Sequence, residues 1–304
     1  MSRENEIVGI NWGSTNFRAW LIGPDGAVRD EFSRPAGVAR LDRAGMEDLM
    51  RELGQRWPAR GAAYAAGMIG SNVGWLEAPY VVAPGGLPEL AHGTIATTIG
   101  GVDLRIVPGM TCRRAYDDGP DILRGEEIEL FGFAALHPGW DGFVALPGTH
   151  TKWVRFADGK LQDFFTSMSG EMFDRLTSAG LLASIVEGEA RVGQAFFEGV
   201  RLGGERALGL GTLLFGARAR VIRGQLARHD AASFIRGLLI GSEVADALAI
   251  HPGLHGASLP LIGSGPVCEL YAAALGKLGI EGRFVDSRAA CLRGFVSLHN
   301  EVQR

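Results

Sequence analysis

The stretch Ile10-Asn11-Trp12-Gly13-Ser14-Thr15-Asn16-Phe17-Arg18-Ala19-Trp20-Leu21 sets a glycine and two hydroxyl side chains between two strand-like runs. The stretch Ala145-Leu146-Pro147-Gly148-Thr149-His150-Thr151-Lys152-Trp153-Val154-Arg155-Phe156 repeats the arrangement, with Gly148 falling 135 positions after Gly13. Each is followed by a second turn, Pro24-Asp25-Gly26 in the first and Ala157-Asp158-Gly159 in the second, and each then enters a third strand-like run. Glycine and hydroxyl residues at a hairpin tip let backbone N–H and side-chain O–H groups close on phosphate oxygens. A single turn of this kind is an ordinary hairpin. Two in the same relative position predict two related lobes gripping one polyphosphate.

Around the first hairpin, residues 8–11, 17–22 and 27–33 read as three antiparallel strands joined by tight turns. Residues 46–57 have helical periodicity, with Met46, Leu49, Met50, Leu53 and Trp57 on one face. A short strand over 62–66 runs into Gly67-Met68-Ile69-Gly70-Ser71-Asn72. Another strand covers 104–107, and 122–136 read as a helix beginning near Arg124-Gly125-Glu126-Glu127. The pattern then restarts with strands over 143–146, 153–156 and 161–166 and a helix over 171–182. A mainly helical stretch over 184–229 leads to a long apolar helix over 231–250. A strand (259–262), helix (267–278), strand (282–285) and closing helix (287–300) follow. Two rounds of this order predict an α/β protein with mixed five-stranded sheets covered by helices. His137-Pro138-Gly139 breaks the chain between the rounds, giving domains 1–138 and 139–304.

The 304 residues suit two domains of about 150 each. Hydrophobic content of 46% and charged content of 21% give a globular chain with ample core. A net charge of −4 supplies no basic footprint for nucleic acid. No apolar run reaches the ~18 residues that span a membrane. Cys112, Cys268 and Cys291 are scattered and odd in number, which predicts reduced, buried thiols in a cytoplasmic protein. The charged start Met-Ser-Arg-Glu-Asn-Glu leads directly into a strand and does not read as a signal peptide. The seven histidines show no metal-ligand spacing. Neither a Walker loop nor a G-x-S-x-G elbow occurs, which disfavours P-loop kinases and α/β-hydrolases.

Five strings then occur in order: Trp12-Gly13-Ser14-Thr15-Asn16; Ala66-Gly67-Met68-Ile69-Gly70-Ser71-Asn72-Val73-Gly74-Trp75; Arg124-Gly125-Glu126-Glu127; Pro147-Gly148-Thr149-His150-Thr151-Lys152-Trp153; and Gly237-Leu238-Leu239-Ile240-Gly241-Ser242-Glu243-Val244. With them the chain resembles, from first strand to last helix, the 2-dehydro-3-deoxygalactonokinases of the actin-like ATPase and sugar kinase superfamily. The resemblance implies two actin-like (ribonuclease H-like) lobes with an ATP cleft between them. It also implies transfer of the γ-phosphoryl group of ATP to the 6-hydroxyl of 2-dehydro-3-deoxy-D-galactonate in bacterial galactonate breakdown, with Mg²⁺ as cofactor. The partners it implies are the sugar acid and ATP, with no nucleic acid and no membrane; a homodimer stays open.

Phosphoryl transfer asks a protein mostly for positioning and charge stabilisation. Gly13, Ser14 and Thr15 would meet the phosphates from the first lobe, and Gly148, Thr149 and His150 from the second, with Lys152 and Arg18 just beyond the tips. Ile262-Gly263-Ser264-Gly265-Pro266 resembles the superfamily's adenosine motif, so Gly263, Ser264 and Gly265 are nucleotide candidates. Related sugar kinases begin the first hairpin as D-x-G-S-T. Here Asn11 replaces the aspartate that helps hold Mg²⁺, and it keeps an oxygen while losing the charge. At the start of the 122–136 helix, where relatives keep the carboxylate that accepts the substrate proton, Glu126 is the first candidate base and Asp121 the second. Arg124 is expected to pair with the transferred phosphoryl or the substrate carboxylate. Glu127 and Glu129 are read as first-turn acids that favour the helix macrodipole. Gly70, Ser71, Asn72 and Trp75 are candidates for the sugar acid, since loops at strand C-termini bind ligands in open sheets; Ser169-Gly170-Glu171 is a weaker one. Two rivals stand beside this reading: another sugar or sugar-acid kinase of the superfamily, and a catalytically impaired ligand-binding or regulatory relative, to which Asn11 points.

Overall fold

The computed structural model describes residues 6–58, 60–263 and 265–304, which divide into two compact units. The first takes Met1–Gly142 together with Arg155–Phe164 and Ser287–Arg304; the second takes Phe143–Val154 and Phe165–Asp286. The second unit begins at Phe143, four residues after the expected cut at 138/139, and both 155–164 and the closing helix go with the first unit.

In the first unit β1 (Ile7–Trp12), β2 (Phe17–Ile22) and β3 (Val28–Arg34) lead to α1 (Arg43–Arg56), β4 (Ala63–Ala66), β5 (Tyr80–Val82) and α2 (Leu87–His92). Next come β6 (Ile95–Ile99), β7 (Val102–Ile106), β8 (Gly109–Arg113), β9 (Pro120–Leu123) and α3 (Glu126–Leu136). The main sheet runs β3-β2-β1-β4-β7-β6. β1 pairs antiparallel with β2 and parallel with β4, because α1 carries the chain across the sheet before β4 begins. β1 is buried along nearly its whole length, as a central strand covered on both faces must be. Val8, Ile10 and Trp12 join Met46, Leu49, Met50 and Leu53 of α1 in one core. The intervening residues point the other way, toward the closing helix α10 (Ser287–Val302). A Cβ on Gly9 would lie 2.7 Å from Phe295 Cγ, so the glycine admits that ring against the strand.

The second round opens with β10 (Gly142–Leu146), β11 (Thr151–Ala157) and β12 (Lys160–Ser167), followed by α4 (Ser169–Ser178), α5 (Gly180–Ala183), α6 (Gln194–Gly204), α7 (Leu210–Ile222) and α8 (Arg228–Ile250). Then come β13 (Ser258–Gly263), α9 (Gly265–Lys277) and β14 (Glu281–Asp286). The sheet order β12-β11-β10-β13-β14 copies that of β3-β2-β1-β4-β7, with β10 and β13 parallel. α8 crosses α6 with almost no side-chain spacer. Cβ atoms on Gly199 or Gly203 would run into the Phe234 and Leu238 carbonyls, and on Gly237 or Gly241 into those of Phe196 and Val200. The glycines of the Gly237–Gly241 string thus serve helix packing.

Several expectations need correction. The first sheet has six strands, since β6 adds to its edge, and β5-β8-β9 form a separate three-stranded sheet. The chain over 122–136 is not one helix: β9 alternates exposed and buried residues against β8, and α3 starts only after Gly125, whose φ of +110° no helix accommodates. Likewise 171–182 breaks at extended Ala179 and Gly180 (φ +79°). All three cysteines are buried free thiols, as expected. No helix among the described residues is long and apolar enough to cross a membrane.

Candidate active site

The first hairpin tip is held from outside. Its carbonyls at Gly13, Ser14 and Thr15 accept the amides of Val38, Ala39 and Gly37 at 3.0, 3.0 and 2.9 Å. Trp12 Nε1 fixes the same segment by donating to the Ala36 carbonyl at 3.0 Å. Ser14 and Thr15 stay exposed, and none of those bonds uses their amides. A tip whose carbonyls are engaged from behind turns its N–H edge outward, the polarity an anion needs. Gly37 has to be glycine, because a Cβ there would overlap the Ser14–Thr15 backbone.

Two residues further along β1 than Gly9, Asn11 faces α10 as well, and its side chain hydrogen-bonds the Cys291 thiol. Arg18 sits opposite Asn11 on β2. On this side the start of α3 supplies three carboxylates. Glu126 Oε2 accepts the Arg124 amide at 3.0 Å, and Glu127 Oε2 accepts the Gly125 amide at 2.6 Å. Glu126 is half-buried and retains its second oxygen outside this bond. Glu127 is fully buried, and burial with the Glu126 charge pushes it up to about 8. Its Oε1 has no partner among the described residues. Burial also drives Glu129 up to about 7, against a hydrogen bond from Ser287 at the start of α10. Glu127 and Glu129 do lie in the first turn of α3, as expected, with Glu127 buried and Glu129 half-buried.

Asp121 lies on β9, ahead of α3. Its Oδ1 accepts the Ile122 amide at 2.7 Å and its Oδ2 is 3.6 Å from Arg114 Nη1. Arg124 reaches back to the loop after β4. Its Nη2 donates to the Ala78 carbonyl at 2.7 Å and its guanidinium lies 4.3 Å from the Tyr80 ring centroid. In that loop Gly67 adopts φ +99°, where a Cβ would also sit 2.7 Å from the Trp12 carbonyl oxygen. Gly70 touches Arg124: a Cβ on it would be 3.0 Å from Nη1. Ser71 is buried and its hydroxyl donates to the Met68 carbonyl at 2.7 Å. Trp75 packs against the core with the Arg43 guanidinium 3.9 Å over its ring. Asn72 alone of the four sugar-acid candidates is exposed. The structure thus joins Arg124 to Gly70 and turns Ser71 and Trp75 inward.

In the second unit the tip at 147–150 is held in a parallel way. The Glu171 amide donates to the Thr149 carbonyl at 2.9 Å, and a Cβ on Gly170 would meet Thr149 O at 2.7 Å. Gly37 follows β3 and Gly170 follows β12, so the repeat extends to a glycine that presses on each tip. Sequence comparison of the two rounds had this signal available: Gly37 is 24 positions after Gly13, and Gly170 is 22 after Gly148. His150 Nε2 lies 2.7 Å from Glu171 Oε2, and this contact holds the Glu171 carboxyl below its usual range. Lys152 is buried and its Nζ donates to Thr166 Oγ1 at 2.9 Å. Gly263 lies against the hairpin: a Cβ would be 3.2 Å from the Pro147 carbonyl oxygen. Nothing within 4 Å would meet a Cβ on Gly265, whereas Ser264 lies outside the described residues. Sequence reasoning missed Glu243, a fully enclosed carboxyl on α8. Burial raises its pKa and hydrogen bonds from Ser169, Trp153 and Tyr271 lower it.

No three or more His, Cys, Asp or Glu side chains among the described residues form a metal cluster. Mg²⁺ in nucleotide sites is commonly held by substrate phosphates, waters and one or two protein oxygens. The Asn11 carbonyl is a donor of that kind.

Residues 11–298 match the family described as 2-keto-3-deoxy-galactonokinase. The 2-dehydro-3-deoxygalactonokinase of Escherichia coli (strain K12) is 32% identical over 299 residues, covering 97% of this chain and 98% of its own. A crystal structure of a candidate 2-dehydro-3-deoxygalactonokinase from Sinorhizobium meliloti superposes with a TM-score of 0.88 at 33% identity, covering 98% of each chain. The activator of the 2-hydroxyisocaproyl-CoA dehydratase from Clostridium difficile, solved with bound ADPNP, shares the fold alone (TM-score 0.52, 9% identity, 98% of this chain and 96% of that one). The paired sheets and their repeated strand order are the two-lobed actin-like architecture.

Proposed function

The chain belongs to the 2-keto-3-deoxy-galactonokinase family, and from that membership we propose that it phosphorylates 2-dehydro-3-deoxy-D-galactonate at its 6-hydroxyl with ATP, in galactonate catabolism. The observation that carries the reading is the pair of hairpin tips, each pinned from behind by a glycine segment. In this reading Gly13, Ser14 and Thr15 of the N-terminal lobe and Gly148, Thr149, His150 and Lys152 of the C-terminal lobe serve the ATP phosphates. Gly263, Ser264 and Gly265 serve the adenosine.

Glu126 is the base. One of its oxygens is anchored by the Arg124 amide, and the other orients the 6-hydroxyl and takes its proton. The new O–P bond forms as the bond from the γ-phosphorus to the bridging oxygen breaks and ADP leaves. No phosphoenzyme is required, since no nucleophilic side chain is needed for in-line transfer. Arg124, braced on Ala78 and Tyr80, offers charge to the phosphoryl group or to the substrate carboxylate. Asp121, paired with Arg114, is the weaker base. Gly70, Ser71, Asn72 and Trp75 shape the sugar-acid site, Asn72 by direct contact and the others through the loop they hold. Bound Mg²⁺ would neutralise developing phosphate charge, with Asn11 holding it through water. The proposal places the enzyme in the cytoplasm, where its ATP is, and leaves a homodimer to light scattering.

The test is ADP formation from ATP and 2-dehydro-3-deoxygalactonate, with and without Mg²⁺, beside a panel of other sugars and sugar acids. Turnover confined to another substrate would move the assignment within the superfamily. Sugar-acid binding without ADP formation would make the protein the impaired relative that Asn11 suggests.

A further inference from the structure

The hairpin at 147–150 is tied to a buried carboxylate of α8. Glu243 is 3% exposed and lies on α8 just beyond Gly241, where the glycine crossing with α6 fixes the helix. Trp153 Nε1 donates to its Oε1 at 2.8 Å, and the Ser169 hydroxyl donates to its Oε2. The Tyr271 hydroxyl lies 3.1 and 3.0 Å from the two oxygens. Tyr271 in turn is 2.8 Å from Thr151 Oγ1, and Thr151 Oγ1 accepts the Gly148 amide at 3.5 Å.

The protons in this chain run one way. The Trp153 N–H and the hydroxyls of Ser169, Tyr271 and Ser167 converge on Glu243, which as a carboxylate accepts from all of them. Once the Tyr271 proton points at Glu243, its oxygen is an acceptor, so the Thr151 hydroxyl donates to it. Thr151 Oγ1 then receives the Gly148 N–H. On the other branch Ser169 begins α4, whose next two residues press on the hairpin and donate to the Thr149 carbonyl.

We propose that Glu243 is a positioning residue for the second phosphate hairpin, setting the Gly148 and Thr149 backbone through Tyr271–Thr151 on one side and Ser169 on the other. The inference rests on reading 147–150 as an ATP-phosphate site. A purely structural carboxylate would lower stability and affect both substrates alike. A positioning residue acts on ATP selectively. Glu243→Gln places an NH₂ donor among donors and breaks the chain at its origin. Tyr271→Phe and Thr151→Val cut it further along with little change in volume.

ADP formation by the unaltered protein decides the functional reading first. Steady-state kinetics of each variant then read the network, together with hydrogen exchange of the 148–151 amides without nucleotide. Tyr271→Phe and Thr151→Val should raise KM for ATP about tenfold and speed exchange at Gly148, leaving KM for the sugar acid within about twofold. Thr151→Ser, which keeps the hydroxyl, should restore both readouts. If Glu243→Gln fails to fold, the Tyr271 and Thr151 variants decide alone. Unchanged exchange and unchanged KM for ATP in cooperatively melting variants would overturn the proposal, as would equal rises in both KM values. If the unaltered protein makes no ADP, the functional reading falls, while exchange at 148–151 still reports whether Glu243 governs the hairpin.

Discussion

Replacing Gly170 by alanine adds one methyl group beside the second hairpin. Gly170 lies in the first turn of α4, so helix propensity favours the change by up to about 1 kcal/mol. The local geometry opposes it. The new Cβ would sit 2.7 Å from the Thr149 carbonyl oxygen and 2.8 Å from Thr149 Cα, and closer still to the Gly148 oxygen. Favourable heavy-atom separations are about 3.5–4.0 Å, so the hairpin has to retreat by about 1 Å. Overpacking of this kind costs about 1–3 kcal/mol, which outweighs the propensity gain. A displacement of about 1 Å at a group that positions substrate costs up to about a hundredfold in rate. We expect Gly170→Ala to lower kcat/KM for ATP about ten- to a hundredfold, with the thermal midpoint falling about 2–4 °C for each kcal/mol. The assay is ADP release at saturating sugar acid beside a melting curve. Gly211→Ala on α7, where nothing lies within 4 Å of the added methyl, is the control; it should leave kinetics intact and stability equal or higher. A folded Gly170→Ala protein with kcat/KM for ATP within about twofold of the parent would refute the argument that α4 holds the hairpin.

Glu126→Gln should keep both KM values and lower kcat about 10²–10⁴-fold; near-normal turnover would remove Glu126 as the base. Asn11→Asp should lower the Mg²⁺ concentration for half-maximal rate, and an unchanged Mg²⁺ titration would take Asn11 out of the mechanism. Glu127 should make stability depend on pH. Its folded pKa is raised from 4.5 to about 8, so the folded state holds a proton that the unfolded chain releases above about 4.5. The stability this proton provides is complete below about 4.5 and is lost as pH rises through about 8. The melting temperature should therefore decline from about pH 5, less steeply above about 7, where Glu129 is ionised in the folded state too, and level off above about 8, and Glu127→Gln should erase the portion above about 7. An identical decline in that variant would show that the Glu127 carboxyl is not enclosed as described.

The strands around both hairpins were legible because alternation and turn residues act locally. Residues 17–22 form β2 with the expected ends, and both sheets repeat one strand order. β5, β8 and β9 were not legible: they are three to five residues long and owe their pairing to one another. The same blindness hid that Asp121, expected just ahead of a helix, lies on a strand. At the candidate site, residue types and spacings pointed to the hairpins and to Glu126. They did not reveal which side chains are already engaged. Ser71 spends its hydroxyl on Met68, and Trp75 lies under Arg43. Glu243 escaped notice for a related reason: a carboxylate in a long apolar helix shows its purpose only through Trp153, Ser169 and Tyr271, distant in sequence.

The asparagine at position 11 makes physical sense in its surroundings. Its face of β1 looks onto the Cys291 thiol, and Cys291 feels the charges of both Glu129 and Glu127. Burial and the Glu126 charge together already drive those carboxyls up to about 7 and 8. An aspartate at this point would add a fourth acid to the group. Repulsion among like charges would force a proton onto one of them, with Arg18 as an opposing cation. Asparagine keeps an oxygen toward a metal and adds no charge. The same argument constrains the Asn11→Asp experiment, because any gain in Mg²⁺ affinity works against a rise in the pKa of neighbouring carboxyls. If both effects operate, the variant should bind Mg²⁺ more tightly and lose activity toward low pH sooner than the parent, since its added proton would compete with the metal for the same cluster.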